Sequence, residues 1–481
     1  MKTIIVGVYL ILVFAPKLML AESLDLEDFL TNVQQSHPYF KKEALNPDIL
    51  KTQQKALLGE EDWRFNASTS LIHKNFGVIN DFTPEISNYA NLSTSISRIY
   101  WKTGGQLSLG YSFNRSSQDY TQGTFNSYQN QMNIQYVHPL MKNINGILSR
   151  LDYELQHYAI KSSELDALEA KESFLVILGD KYLDWLFQTE LVRINAERLG
   201  LSEKEYKQST RKHKKYLVSK VDVIRSKNAV LRAKQSLQQA NIDLISIVTE
   251  LSVISQNKNL AELKPSYRLY DVYAPPSTQT INQFITHNSR IVNIYDQRLN
   301  QIDDTLLALN NQKNPELNLI VGAGLLGSDN SLRDSASIDK PQYSVALNFN
   351  YPLGNRKIKA TMDQSHLQKM QLEAEKKHLI LQLQASVRVT LQKLTQLEKL
   401  LTLDKEQIES SELKTREELK RYHRGRSELT IVLQSQDQEQ QAKISYAVTA
   451  TTYHKVYLLY RSLMDELIEP INNNNNNNKK I

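Results

Sequence analysis

The chain has no cysteine in 481 residues. That excludes disulfide scaffolds, thiolate metal sites, thiol catalysis and a lipid-modified N-terminal cysteine. Proline avoids two windows, from Pro139 to Pro265 and from Pro352 to Pro470. Proline breaks helix interiors, so two empty stretches of this length predict very long helices. Glycine is nearly missing from the second window, where Gly425 is the only one between Asn355 and Ile481. A lone glycine in a helical run is either a tolerated fault or a C-cap where the chain turns back, and this position favours the turn. A strong charge of one sign is also missing. The formal net charge of +6 falls to about +4 when Lys2 and Lys17 leave with a signal peptide. No basic stripe is interleaved with aromatics, so nucleic acid is not an expected partner.

Long apolar runs are confined to the N-terminus. Lys2, an apolar core from Ile4 to Phe14, and then Met19-Leu20-Ala21 read as a secretory signal peptide over residues 1–21, cleaved after Ala21. An N-terminal membrane anchor is the alternative, but a core cut short by Pro16 and Lys17 is brief for a span. Beyond Ala21 no apolar run approaches about eighteen residues, so an exported chain that enters a membrane must do so as a β-barrel. With 23% charged and 41% apolar residues, the rest has the composition of a folded protein.

What is present is period. Leu168, Leu175, Leu178, Tyr182 and Trp185 in the first window, and Ile380, Leu383, Val387, Leu391, Leu394 and Leu401 in the second, recur at steps of three, four and seven. Lys, Glu and Gln between them compose solvated coiled-coil faces. The first window reads as a helix over 147–210, a break near Tyr216 and Leu217, and a helix over 223–253. The second reads as a helix over 357–418, the break at Gly425, and a helix over 429–467. The longest would extend roughly 90 Å. Ahead of each window the period changes to two. "FNASTSLIH", "LSTSISRIYW", "GQLSLGYSF" and "MNIQYVHPL" precede the first, and "LNLIVGAGLL" and "YSVALNFNYPL" the second. One apolar and one polar face suits a soluble sheet or a barrel with lipid outside and water inside. Aromatics clustered in these strands, Tyr100, Trp101, Tyr111, Phe113, Tyr136, Tyr343, Phe349 and Tyr351, favour the barrel. Polar stretches over 114–127 and 327–341 read as loops facing outside.

The two halves read as a repeat, with Pro139 and Pro352, and Tyr216 and Gly425, each about 210 residues apart. Ser36 and His287 open corresponding short helices about 250 apart, so the first half carries an extra insertion, most simply a hairpin around "WKTGG". The expected organisation is a first repeat over 22–257, with short helices, strands over 62–139 and a helical hairpin over 147–253. A linker covers 258–278. The second repeat covers 279–468, with a helix, strands over 315–353 and a hairpin over 357–467. A disordered asparagine-rich tail covers 469–481.

No chemistry-bearing constellation emerges. "GAGLLG", Gly322 to Gly327, matches a dinucleotide fingerprint but is followed by loop and strand where the motif needs a helix. The ten histidines show no metal-ligand spacing. No Ser/His/Asp grouping or phosphate-cradling loop appears, so neither cofactor, metal nor enzymatic activity is expected.

In order and spacing these motifs resemble the TolC-like outer-membrane efflux protein family over nearly the whole mature chain. The motifs that carry it are Pro315-Glu316-Leu317-Asn318-Leu319, the Pro-Leu pairs at Pro139 and Pro352, a tip motif matched by Tyr422, Gly425, Val432 and Leu433, and a first tip matched by Leu217, Val218, Asp222 and Val223. The resemblance implies a homotrimeric tube. Each copy would give four strands to a twelve-stranded barrel in outer-membrane lipid and two helical hairpins to a periplasmic α-barrel. The tube would conduct substrates passively from an inner-membrane pump through a periplasmic adaptor, in efflux or type I secretion. It further implies a periplasmic gate at Asp222, Tyr422, Gly425, Arg426 and Glu428, and adaptor contacts at Leu217, Val218, Gly425, Arg426 and Ser427. The chain departs from the family pattern at Ser427, Ile431 and Gln434, where an arginine and two acids are usual, and at Tyr216, where glycine is usual. A carboxylate ring at the pore entrance is therefore unsupported from the second half. The rival reading is a soluble periplasmic coiled-coil adaptor or structural protein without a barrel.

Overall fold

The computed structural model describes residues 23–78, 80–273 and 278–468. The expected signal peptide and asparagine-rich tail lie outside them. The described chain begins with β1 (Ser23–Leu24), α1 (Leu26–Ser36) and α2 (Pro38–Leu57). Four strands follow, β2 (Arg64–Asn75), β3 (Ile86–Tyr100), β4 (Gly105–Tyr120) and β5 (Gly123–Pro139), and then α3 (Leu151–Lys214) and α4 (Lys220–Ile254). The second half runs β6 (Lys264–Pro265), α5 (Thr278–His287), α6 (Arg290–Gln312), β7 (Glu316–Asp329), α7 (Leu332–Ser335), β8 (Lys340–Asn350), α8 (Arg356–His423) and α9 (Leu429–Leu463). No helix among the described residues is long and apolar enough to cross a membrane.

Two compact units result. The first holds the described residues up to Lys42, Ala170–Phe284, and the described residues from Leu383 on. In it, Leu175, Leu178, Tyr182 and Trp185 of the first stripe are buried, and Val387, Leu394 and Leu401 of the second are buried at heptad spacing. A Cβ on Gly179 would stand 2.3 Å from Leu458 Cδ2, so this mid-helix glycine lets α3 and α9 approach closely. Apolar residues elsewhere on the same helices stay uncovered, among them Leu231, Ile242 and Ile245 of α4 and Leu400 and Leu403 of α8.

The second unit, Glu43–Glu169 with Ile285–Gln382, carries the sheet. Strand order is β2-β3-β4-β5-β7-β8, antiparallel throughout. All six segments read as strands from the sequence share this one sheet. The sheet is open, with β2 and β8 unpaired at its two edges, so the single chain forms no closed barrel. The polar loop expected over 114–127 is corrected. Asn114–Tyr120 completes β4, Gly123 opens β5, and the turn between them is only Thr121-Gln122. Its Ser and Asn residues read as loop composition because they occupy both faces of the pleat there, Ser117 and Asn126 on one and Ser116 and Ser127 on the other, and leave no alternation to see. Likewise, all of Gly322–Gly327 lies inside β7, where no helix N-terminus could take a pyrophosphate.

Register sorts the side chains into two faces. One row joins Phe65, Ile96, Leu109, Ile134, Ala323 and Tyr343 across all six strands. Alternate positions on the other face are mostly Ser, Asn, Gln and Gly, as in the row Asn66, Ser95, Gly110, Asn133, Gly324 and Gln342. The apolar face is uncovered: Leu71 is 82% exposed and Tyr343 83%. The helix-connected strand ends and the Trp101–Gly104 turn share one end of the sheet, and Trp101 packs on Tyr153 of α3, with ring centroids 5.5 Å apart.

Candidate functional site at the hairpin tips

Both helix breaks close in the same way. Beyond α8, Gly425 takes φ +73°, its N–H donates to the Tyr422 carbonyl at 3.1 Å, and the Arg426 N–H donates to the Arg421 carbonyl at 2.9 Å. Beyond α3, Tyr216 takes φ +59°, its N–H donates to the His213 carbonyl at 2.9 Å, and the Leu217 N–H donates to the Lys212 carbonyl at 3.0 Å. These are the paired bonds of a Schellman helix end, whose left-handed residue is normally glycine. A Cβ on Gly425 would meet nothing within 4 Å, so the backbone angle alone asks for glycine there. Tyr216 carries the same angle without that freedom, and its side chain is 97% exposed.

The restarts differ. Ser219 caps α4 through a capping box. Its Oγ accepts from the Asp222 N–H at 3.2 Å and donates to Asp222 Oδ2 at 2.8 Å, and the same carboxylate accepts from the Ser219 N–H at 3.2 Å. Glu428 stands at the equivalent position of α9 and makes no side-chain cap. Ser427 Oγ donates to Glu418 Oε2 at 2.7 Å, and Glu418 also pairs with Arg421 at 3.1 Å.

The expected gate residues are therefore not joined directly. Asp222 is held by its own capping box and lies 3.5 Å from Arg225. Tyr422 is buried with Ala229, Leu429, Val432 and Leu433. Lys212 links the two tips: its Nζ stands 3.9 Å above the Tyr422 ring and donates to the Tyr422 carbonyl at 3.3 Å. Burial pushes the Tyr422 phenol above its ordinary pKa, and the Ser209 hydroxyl counters this in part, although the two hydroxyls do not meet in hydrogen-bond geometry. Burial likewise raises the pKa of the Glu205 carboxyl, opposed by the charges of Lys212 and Arg198. Arg198 is itself buried and donates to Asp437 Oδ1 from Nη2 at 2.7 Å and to Gln436 Oε1 at 3.2 Å, tying α3 to α9.

Sequence reading missed Lys212, because a cation in the last turn of a helix reads as complementing the helix dipole. It missed Glu205 and Arg198, because charges along a long polar helix carry no sign of burial and the Arg198 partners on α9 lie 238 and 239 residues away. The expected adaptor residues Leu217, Gly425 and Arg426 are exposed, as is Glu428, whereas Val218 and Ser427 are half-buried. Between Glu205 and Asp222, and between Glu418 and Glu428, the tips carry only cations: Lys207, Arg211, Lys212, Lys214, Lys215 and Lys220 on the first, Lys420, Arg421, Arg424 and Arg426 on the second. Beside them, α4 and α9 frame a groove of about 670 Å³ whose polar lining includes Arg225, Arg232, Gln434 and Asp437.

No protein-family model and no curated protein matches the sequence. Solved structures do match. The outer membrane channel MtrE of Neisseria gonorrhoeae, in its open state, is similar at 14% identity over 92% of this chain and 89% of that one, with a TM-score of 0.65. The Campylobacter jejuni outer membrane channel CmeC matches at 12% identity, 92% and 86% coverage, and a TM-score of 0.63. The outer membrane protein VceC of Vibrio cholerae matches at 9%, 92% and 96%, and 0.66. These proteins are channels or membrane proteins rather than enzymes, and the chain has their fold.

Proposed function

We propose that this chain is one protomer of a homotrimeric outer-membrane channel. It would conduct substrates passively from an inner-membrane pump, by way of a periplasmic adaptor that meets the hairpin tips. The observation that carries this reading is the two-faced sheet. Its apolar face is continuous over six strands and uncovered by the chain, and its other face is rich in Ser, Asn, Gln and Gly. In water such a face is a severe liability, whereas against lipid it is required. Its height fits. Arg98 and Arg115 mark the two ends of the band, and Arg115 pairs with Ala90. The span from Ala90 to Arg98 is about 27 Å along the strand and about 20 Å along a barrel axis at the usual tilt, close to the roughly 25 Å band of outer-membrane barrels.

Three copies also answer the helices. The uncovered apolar residues of α4 and α8 need neighbours, and side-by-side hairpins supply them. A soluble adaptor has no use for the bare sheet face. The tips act as gate and docking surface, and their excess of cations, of which Lys420 and Arg421 are paired with Glu417 and Glu418, selects an adaptor whose meeting surface is acidic. Purified protein in planar lipid bilayers should give stable conductance steps. A protein that never inserts, from detergent or from native membrane extract, contradicts the channel.

A further inference from the structure

We propose that the membrane wall of this channel has eighteen strands, six from each copy, closed by β8 of one copy pairing with β2 of the next. This rests on the trimeric channel reading and departs from the twelve strands that the sequence resemblance implies. If only four strands per copy formed the wall, two would lie outside it, and a displaced hairpin has no reason to hold the wall's register. Every strand here holds it. On β2, Phe65, Ala67 and Leu71 continue the apolar face through Ile96, Thr94 and Ala90 of β3, while Asn66, Ser68 and Ser70 continue the polar face through Ser95, Ser93 and Asn91. Cross-strand pairs on the polar face are made as well: Ser68 Oγ lies 2.7 Å from Ser93 Oγ.

The edges agree. β2 has 12 residues and β8 has 11, and every residue of both is exposed. Both expose long rows of unpaired backbone groups. Their cations, Arg64, Lys74 and Lys340, stand only at strand ends, and the one proline of the pair is Pro341 at the start of β8. Unpaired backbone cannot face hydrocarbon, so these edges must meet a strand. Direction permits it. β2 runs away from the helix-connected end and β8 runs back to it, so β8 against the next β2 is antiparallel. Six strands per copy is even, and the alternation closes without a fault. Diameter grows roughly linearly with strand number, so the barrel would be about 1.5 times as wide as a twelve-stranded one, in the range that leaves an open aqueous lumen. Its lining, drawn from Ser68, Ser95, Ser112, Asn133 and Ser344 among others, is uncharged and hydrogen-bonding.

Single-particle electron microscopy of the detergent-extracted protein counts the wall directly. Eighteen strands around a three-fold axis is the expected result. Twelve strands, with β2 and β3 outside the wall, overturns the proposal and leaves the channel standing. A particle without three-fold symmetry overturns the channel reading beneath it. Because the chain lacks cysteine, crosslinking gives an independent test. Ser68→Cys with Ser344→Cys or Ala346→Cys should yield a disulfide ladder up to the trimer on non-reducing gels. A ladder from Ser112→Cys with Ser344→Cys instead would place β4 at the edge and refute the eighteen-stranded wall.

Discussion

At Tyr216 a bulky residue holds a left-handed backbone angle that its counterpart, Gly425, holds freely. Such a conformation costs a non-glycine residue about 1 kcal/mol. Tyr216→Gly should therefore raise the thermal midpoint and Gly425→Ala lower it, each by the equivalent of roughly 1 kcal/mol. Unchanged midpoints in both would remove the equivalence of the two turns. Glu205 gives a pH signature. Its folded pKa is raised by burial, so the folded state disfavours the ionised form. The group costs nothing below its unfolded pKa, and stability falls as pH rises from there through the folded value. Glu205→Gln should melt with the native protein near pH 4 and above it at pH 7. A lower midpoint at pH 7 would mean that Lys212 and Arg198 stabilise the carboxylate outright. Gly425 and Tyr422 were legible from composition and spacing, whereas the link between Tyr422 and Lys212 was not, since it joins residues 210 apart in sequence.

Among elements, the capping box at Ser219 and Asp222 anchors the start of α4, and the equivalent start of α9 has no side-chain cap. Removing a cap of this kind costs about 1 kcal/mol of helix stability. If the tips gate the channel, Asp222→Ala combined with Lys212→Met loosens the first tip and its hold on Tyr422. Single-channel conductance should then rise, and an unchanged conductance would place the gate elsewhere. The long helices were legible because proline is excluded over each of them and apolar residues repeat at helical steps. Strand ends were not. Asn114 to Ser127 reads as loop from its Ser, Asn and Gln, yet the ladder of β4 and β5 continues through it to Tyr120 and Gly123, with polar residues such as Ser117 and Asn126 on the same face as Leu109 and Ile134. Beyond the apolar band, which ends at Arg115, the strands carry polar residues on both faces, so the period-two signal is lost although the backbone pairing goes on. All six strands were legible from their alternation, and the figure of four per copy came from the family resemblance alone.

For the whole molecule, the account turns on a chain that cannot satisfy its own surfaces. One sheet face is bare, two sheet edges are unpaired, and α4 and α8 show uncovered apolar residues. The cationic tips add a salt-dependent prediction. Binding to an adaptor with an acidic meeting surface should weaken as salt rises from about 50 mM to 500 mM, because screening shortens the reach of exposed charges. Salt-independent binding would shift recognition to Leu217 and the apolar part of the tip. The most direct test of the central claim combines location with mass. Inner and outer membranes are separated, the protein is extracted in mild detergent, and the particle is weighed by light scattering corrected for detergent. The account predicts an outer-membrane protein with three times the mass of the mature chain. A soluble periplasmic monomer or dimer would contradict it.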